Sequence, residues 1–88
     1  MAIDFVSNLS YYKNRRKGME EKINKINTLL NVDISKYTTE AKYKYYKSII
    51  KNIDMEMDKK DIEIDLYEKL LQLKKNAMSK LMTLEENN

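Results

Sequence analysis

Residues 46–81 read YKSIIKNIDMEMDKKDIEIDLYEKLLQLKKNAMSKL. Within this stretch Tyr46, Ile50, Ile53, Met57, Lys60, Ile64, Tyr67, Leu71, Lys74, Met78 and Leu81 follow one another at alternating spacings of four and three. That alternation is the seam of a helix packed lengthwise on another helix. The same rhythm runs through Phe5, Leu9, Tyr12, Arg16, Met19, Ile23, Ile26 and Leu30. No Gly or Pro interrupts the chain from Thr39 onward, and the seam keeps its phase throughout. The expectation is therefore an all-α antiparallel helical hairpin of two unequal helices, about 4–30 and 39–85. Its seam is coiled-coil-like, and the hairpins are expected to associate into a multi-helix bundle. A break at Asp58-Lys59-Lys60-Asp61 is the competing reading and gives three helices folded on one another.

Composition agrees with helix throughout. The 88 residues hold one Gly, no Pro and no Trp, with abundant Lys, Glu, Ile, Leu and Met. A chain this short makes a single domain with a small core. Asp4 is an acceptable N-cap for the first helix, and Asn31 a left-handed stop for it. Gly18, inside that helix, either permits a close backbone approach or weakens the helix by about 1 kcal/mol relative to Ala. Residues 31–38 (NVDISKYT) lack heptad register and read as a loop whose Val32, Ile34 and Tyr37 fold back over the helix ends. Thr38 or Thr39, followed by Glu40, caps the next helix.

At about 1.5 Å per residue the first helix is roughly 40 Å long and a continuous second one nearly 70 Å. With the turn centred near Ser35, Phe5 faces position 65 and the first helix is then used up. Leu66, Leu70, Leu71, Leu73, Ala77, Met78, Leu81, Met82 and Leu84 lie beyond it, the densest apolar run in the chain. Burying a Leu or Met side chain is worth about 1.5–3 kcal/mol, so an apolar overhang of this size calls for a partner. These nine residues are the expected protein interface. Either a second copy, most simply as a dimer, or a larger protein would cover them.

The function classes narrow by what is missing. With no Cys there is no disulfide, thiol nucleophile or thiolate metal site; with no His the usual general base and commonest zinc ligand are absent. No enzymatic activity, catalytic residue, cofactor or metal is expected. Asp54, Glu56, Asp58, Asp61, Glu63 and Asp65 are close in sequence, but lack calcium-loop spacing and are interrupted by Lys59 and Lys60. They read as a solvated, salt-bridged face. The N-terminus lacks the basic start and apolar run of a cleavable signal, and no stretch is apolar enough to span a membrane. The expected location is the cytoplasm, or the host cytoplasm for a viral protein, with no membrane partner.

Net charge is +3, distributed in blocks, with seven acids against two lysines in residues 54–68. Such alternation reads as charge matching within or between subunits. Tyr11–Lys17 and Lys42–Lys47 interleave aromatics with bases, the combination that single-stranded nucleic acid asks for. A nucleic-acid-binding accessory protein contacting its ligand through Arg15, Lys17, Lys42 and Lys44 is thus the alternative function. The hairpin register sets against it by placing Arg16 and its neighbours near Asp54 and Asp58. Arg16, Lys60 and Lys74 occupy seam positions where a hydrophobe is expected; they either fix register or snorkel to water.

By size and hairpin layout the chain resembles small helical secretion partners of the type VII kind. Those proteins typically carry Trp-x-Gly in the turn, where this chain has neither residue. The likeness covers shape alone, and adaptors or inhibitors from phage or mobile elements share that shape. The expected function is a non-catalytic protein-interaction module: an adaptor, small chaperone or inhibitor acting through its C-terminal apolar helix.

Overall fold

The protein is described by a computed structural model covering the backbone of residues 2–86 and the side chains of residues 14–86. Three helices make up the fold: α1 (Ala2–Leu30), α2 (Thr39–Met57) and α3 (Ile64–Glu86). No strand occurs among the described residues. Helix α1 begins two residues before Asp4, so Asp4 lies inside its first turn instead of capping it. The seam residues Phe5, Leu9 and Tyr12 lie outside the described side chains.

The second helix is not continuous. Asp58 closes α2, its N–H bonded to the Asp54 carbonyl at 3.0 Å. Asp61 then takes a left-handed backbone (φ 65°), the only non-glycine residue to do so among those described. Asp is one of the few side chains that tolerate that conformation. Glu63 accepts the first backbone bond of α3 from the Tyr67 N–H at 2.9 Å. The physical reason for the break lies in the acidic block. A continuous helix would stack Asp61 on Asp65, like charges four residues apart, whereas the turn from Asp54 to Asp58 stays helical. Breaking it lets Asp54 meet Lys74 at 2.7 Å and Asp65 meet Arg16 at 2.5 Å. It also folds the apolar C-terminal third back onto its own chain.

That return builds the core. Ile53 of α2 and Leu70 of α3, both fully buried, belong to one core cluster with Tyr46, Ile49, Leu66, Leu73 and Ala77. From α1 come Ile23, Ile26 and Leu30, and the loop contributes Ile34. At about 1.5–3 kcal/mol for each large buried side chain, this burial outweighs a few local helical hydrogen bonds at the break.

Successive helices run antiparallel. Tyr45 donates to the Leu29 carbonyl at 2.6 Å, Lys22 pairs with Glu56 at 3.4 Å and Arg15 lies 3.9 Å from Asp61. The α1–α2 register is thus several residues displaced from one centred on Ser35. Tyr45, in the second turn of α2, also meets the loop, with Tyr37 edge-on to it at 6.2 Å.

In the loop, Ile34 is buried while Val32 and Tyr37 stay largely exposed, so one of the three expected side chains folds over the core. Asn31 ends α1 without a left-handed backbone; its side chain donates to the Asn27 carbonyl at 2.8 Å. Asp33 accepts the Ser35 N–H, a bond that holds its carboxyl below the ordinary range. Thr38 caps α2, its hydroxyl accepting the Ala41 N–H at 3.1 Å. A Cβ at Gly18 would meet nothing within 4 Å, so no close approach requires that glycine.

Candidate protein-binding surface

Helix α3 is apolar on two sides, and the fold uses one of them. Its inner side is Leu66, Leu70, Leu73 and Ala77, all in the core. Its outer side is Ile64, Tyr67, Leu71, Met78 and Met82, again at helical spacings of three, four and seven. Ile64 is 76 % exposed, Met82 57 % and Met78 45 %; Leu71 is half-buried. The outer side borders an open groove between α2 and α3, floored by Ile50 and Leu81 and edged by Met55. Lys47, Lys51 and Lys74 line it together with Asp54 and Asp58.

This divides the nine residues read from the sequence as one interface. Leu66, Leu70, Leu73 and Ala77 belong to the chain's own core, because α3 folds back and no overhang is left. Leu81 and Leu84 are partly buried against that core, Leu71 is half-buried on the outer side, and Met78 and Met82 remain outside. Ile64 and Tyr67, absent from the expected set, join the outer side. Their signal is present in the sequence: both occupy the heptad seam of residues 46–81. Ile64, Tyr67 and Met78 of the α3 seam therefore face outward, Leu81 leans on the core, and the core itself is made by the neighbouring residues Leu66, Leu70 and Leu73.

The three charged seam residues have separate fates. Lys60 lies exposed in the α2–α3 turn, where its carbonyl accepts a hydrogen bond from Arg15. Lys74 lays its stem in the groove and its ammonium on Asp54. Arg16 pairs with neither Asp54 nor Asp58. It forks onto Asp65 at 3.2 and 2.5 Å, contacts Glu63 and reaches Glu20 at 2.9 Å. Its pKa is raised, chiefly by the Asp65 hydrogen bond, and the Asp65 carboxyl is held below the ordinary range by the same bond. Bidentate pairing of this kind fixes geometry as well as charge. It ties the start of α3 to α1 and so sets which side of α3 turns inward.

Glu56, whose side chain is only 15 % exposed, lies between Lys22 and Lys59, the latter 2.7 Å from Oε2. Oε2 has no well-directed hydrogen bond, so the Lys59 contact acts as a charge pair, and it raises the Lys59 pKa. Among the described residues no three metal-ligating side chains converge, and no helix is long and apolar enough to cross a membrane.

The two basic-aromatic segments do not come together. Arg15 sits at the α2–α3 turn, while Lys42 and Lys44 stand at the opposite end beside the α1–α2 loop. The span between them is about 20 Å along α1. Lys44 pairs with Glu40 at 3.3 Å, and Lys47 lies over the Tyr43 ring at 4.6 Å. Lys17 is exposed and Lys42 half-buried. Tyr11, Tyr12 and Lys13 lie outside the described side chains. Compared with known proteins, the chain matches no family model, no curated protein and no solved structure.

Proposed function

We propose that this protein is a non-catalytic protein-binding module that engages its partner through the outer side of α3 and the adjoining α2–α3 groove. One observation carries the reading: α3 holds more apolar surface than its own core consumes, aligned as a continuous stripe. Scattered apolar residues on a surface are ordinary, whereas an aligned stripe beside a groove is what a partner helix packs into. Exposed methionines add adaptable, polarizable contact area to such a stripe. Adaptor, small chaperone and inhibitor are all roles that this one interaction would serve.

The test is a photo-reactive side chain placed at Met82 in the full chain, with an identical one at Lys44 as control, in cells that make the protein. Adducts to protein at Met82 but not at Lys44, abolished by Leu71→Asp, are the expected result. Equal labelling at both positions, or none at Met82, removes the reading. A mobility shift of single-stranded DNA at physiological salt, lost on reversing Arg15 and Lys17, would transfer the function to the alternative class.

A further inference from the structure

We infer that the partner for the outer side of α3 is a second copy of this chain, bound antiparallel about a two-fold axis near Leu71. The inference rests on the protein-binding reading and names its partner. Ile64, Leu71 and Met78 are spaced seven apart, with Leu71 at the centre. Rotation about an axis through that centre lays Ile64 against Met78 of the second copy, and Leu71 against itself. Such self-complementarity is what an isologous dimer requires.

Charge selects the direction. Glu68 and Lys75, both exposed, are seven apart and therefore share one flank of the stripe, on either side of Leu71. In the antiparallel arrangement each Glu68 faces the other copy's Lys75, so the pair occurs twice. In a parallel arrangement this flank meets the opposite flank of the second copy. The Glu68–Lys75 pairs are then lost, because that opposite flank is the side on which α2 packs. Antiparallel pairing also brings Tyr67 beside the other copy's Lys74, whose ammonium remains free to hold its own Asp54. Flanking charges that pair in one orientation only are a means by which paired helices choose direction.

The natural chain contains no cysteine, so single-cysteine variants report unambiguously on proximity. Sedimentation equilibrium of the full chain should give twice 10.6 kDa at micromolar concentration. Under mild oxidation Leu71→Cys should cross-link to itself, because the axis brings the two positions within disulfide reach. Met82→Cys should not, since antiparallel pairing separates the two copies of that position by about 33 Å. Glu68→Lys should weaken the dimer by about tenfold, with two like-charged pairs created at once, and adding Lys75→Glu should restore it.

A chain that is still monomeric at about 50 µM, a generous ceiling for a specific dimer, overturns the inference. Self-cross-linking at Met82 but not Leu71, or failure of the double charge swap to restore association, overturns it too. Photo-adducts at Met82 to a different protein, from a chain that is itself monomeric, would sink the self-pairing and leave the protein-binding reading standing.

Discussion

Leu66, Leu70, Leu73 and Ala77 on one side of α3 are buried, whereas Ile64, Tyr67, Met78 and Met82 on the other side stay exposed. The two sides are made of the same kinds of residue at the same helical spacings. What separates them is the direction from which α1 and α2 arrive. Arg16 fastens α1 to the start of α3, and Asp54 in the last turn of α2 holds Lys74 in the middle of α3. These contacts turn Leu66 and Leu70 inward and leave Ile64, Tyr67 and Met78 of the heptad seam on the outside. An apolar periodicity thus marks a packing face without saying whose core it will enter.

The comparison breaks most readily in the core. Leu70→Ala on the inner side should cost roughly 2–5 kcal/mol in urea unfolding, since a fully buried side chain leaves a cavity. Met78→Ala on the outer side should stay within about 0.5 kcal/mol when both variants are unfolded at a dilution that keeps the chain monomeric. Equal losses would mean that both sides are structural and that no surface is left over for a partner.

A charge on the outer side sharpens the contrast from the other direction. Met78→Asp should abolish association while leaving the helical content and unfolding midpoint of the isolated chain almost unchanged. Lys44→Glu, at the far end of the molecule, should leave association intact. An unfolding midpoint that falls with Met78→Asp would place that side chain in the chain's own core instead.

Gly18→Ala sets a reference that touches neither side of α3. With open space around the position, Ala should stabilise the protein by about 1 kcal/mol, measured as a raised urea midpoint, and leave association unaltered. Destabilisation would show a neighbour packed on that face of α1 in solution.

The smallest expected effect concerns the fastening itself. Asp65 is held below its ordinary value of 3.8 by Arg16, so the folded state binds that proton less readily than the unfolded one. Its contribution is therefore present above about pH 4 and is lost as pH falls through and below that value. Asp65→Asn should make the acid decline in stability shallower, followed by circular dichroism. Asp33, lowered by the Ser35 N–H, titrates in the same window, so part of the decline should remain. An unchanged acid profile in the variant would show that the Arg16 fork adds nothing to folding.

Much of the fold is legible in the order of residues. The single Gly and absent Pro spell helix, and the unpatterned residues 31–38 mark the first connection. The threonine pair Thr38-Thr39 announces the cap of α2, and the structure assigns it to Thr38. The second connection is harder to read because its residues carry no Gly or Pro, and the heptad phase runs unbroken across it. The clue is electrostatic: Asp61 and Asp65 repel in a continuous helix, and Asp54 and Asp65 find cations once it breaks. Of the surface residues, Met78 and Met82 are legible as apolar side chains in excess of need. Ile64 and Tyr67 are legible only as seam positions. Arg16 stands out as a charged residue in the seam, but its carboxylate partners depend on a register displaced by the loop.

By itself the sequence determined helical content, the first connection, the cap of α2 and a surplus of apolar surface in the last third of the chain. Those follow from local propensity and from hydrophobic periodicity, which act over a few residues. Tertiary structure alone decided that α3 folds back, which of its two apolar sides becomes core, and that Arg16 meets Asp65 instead of Asp54. Such choices compare whole packings whose local energies are nearly equal. They are settled by where a left-handed Asp61 aims the chain and by charge pairs formed across almost fifty residues.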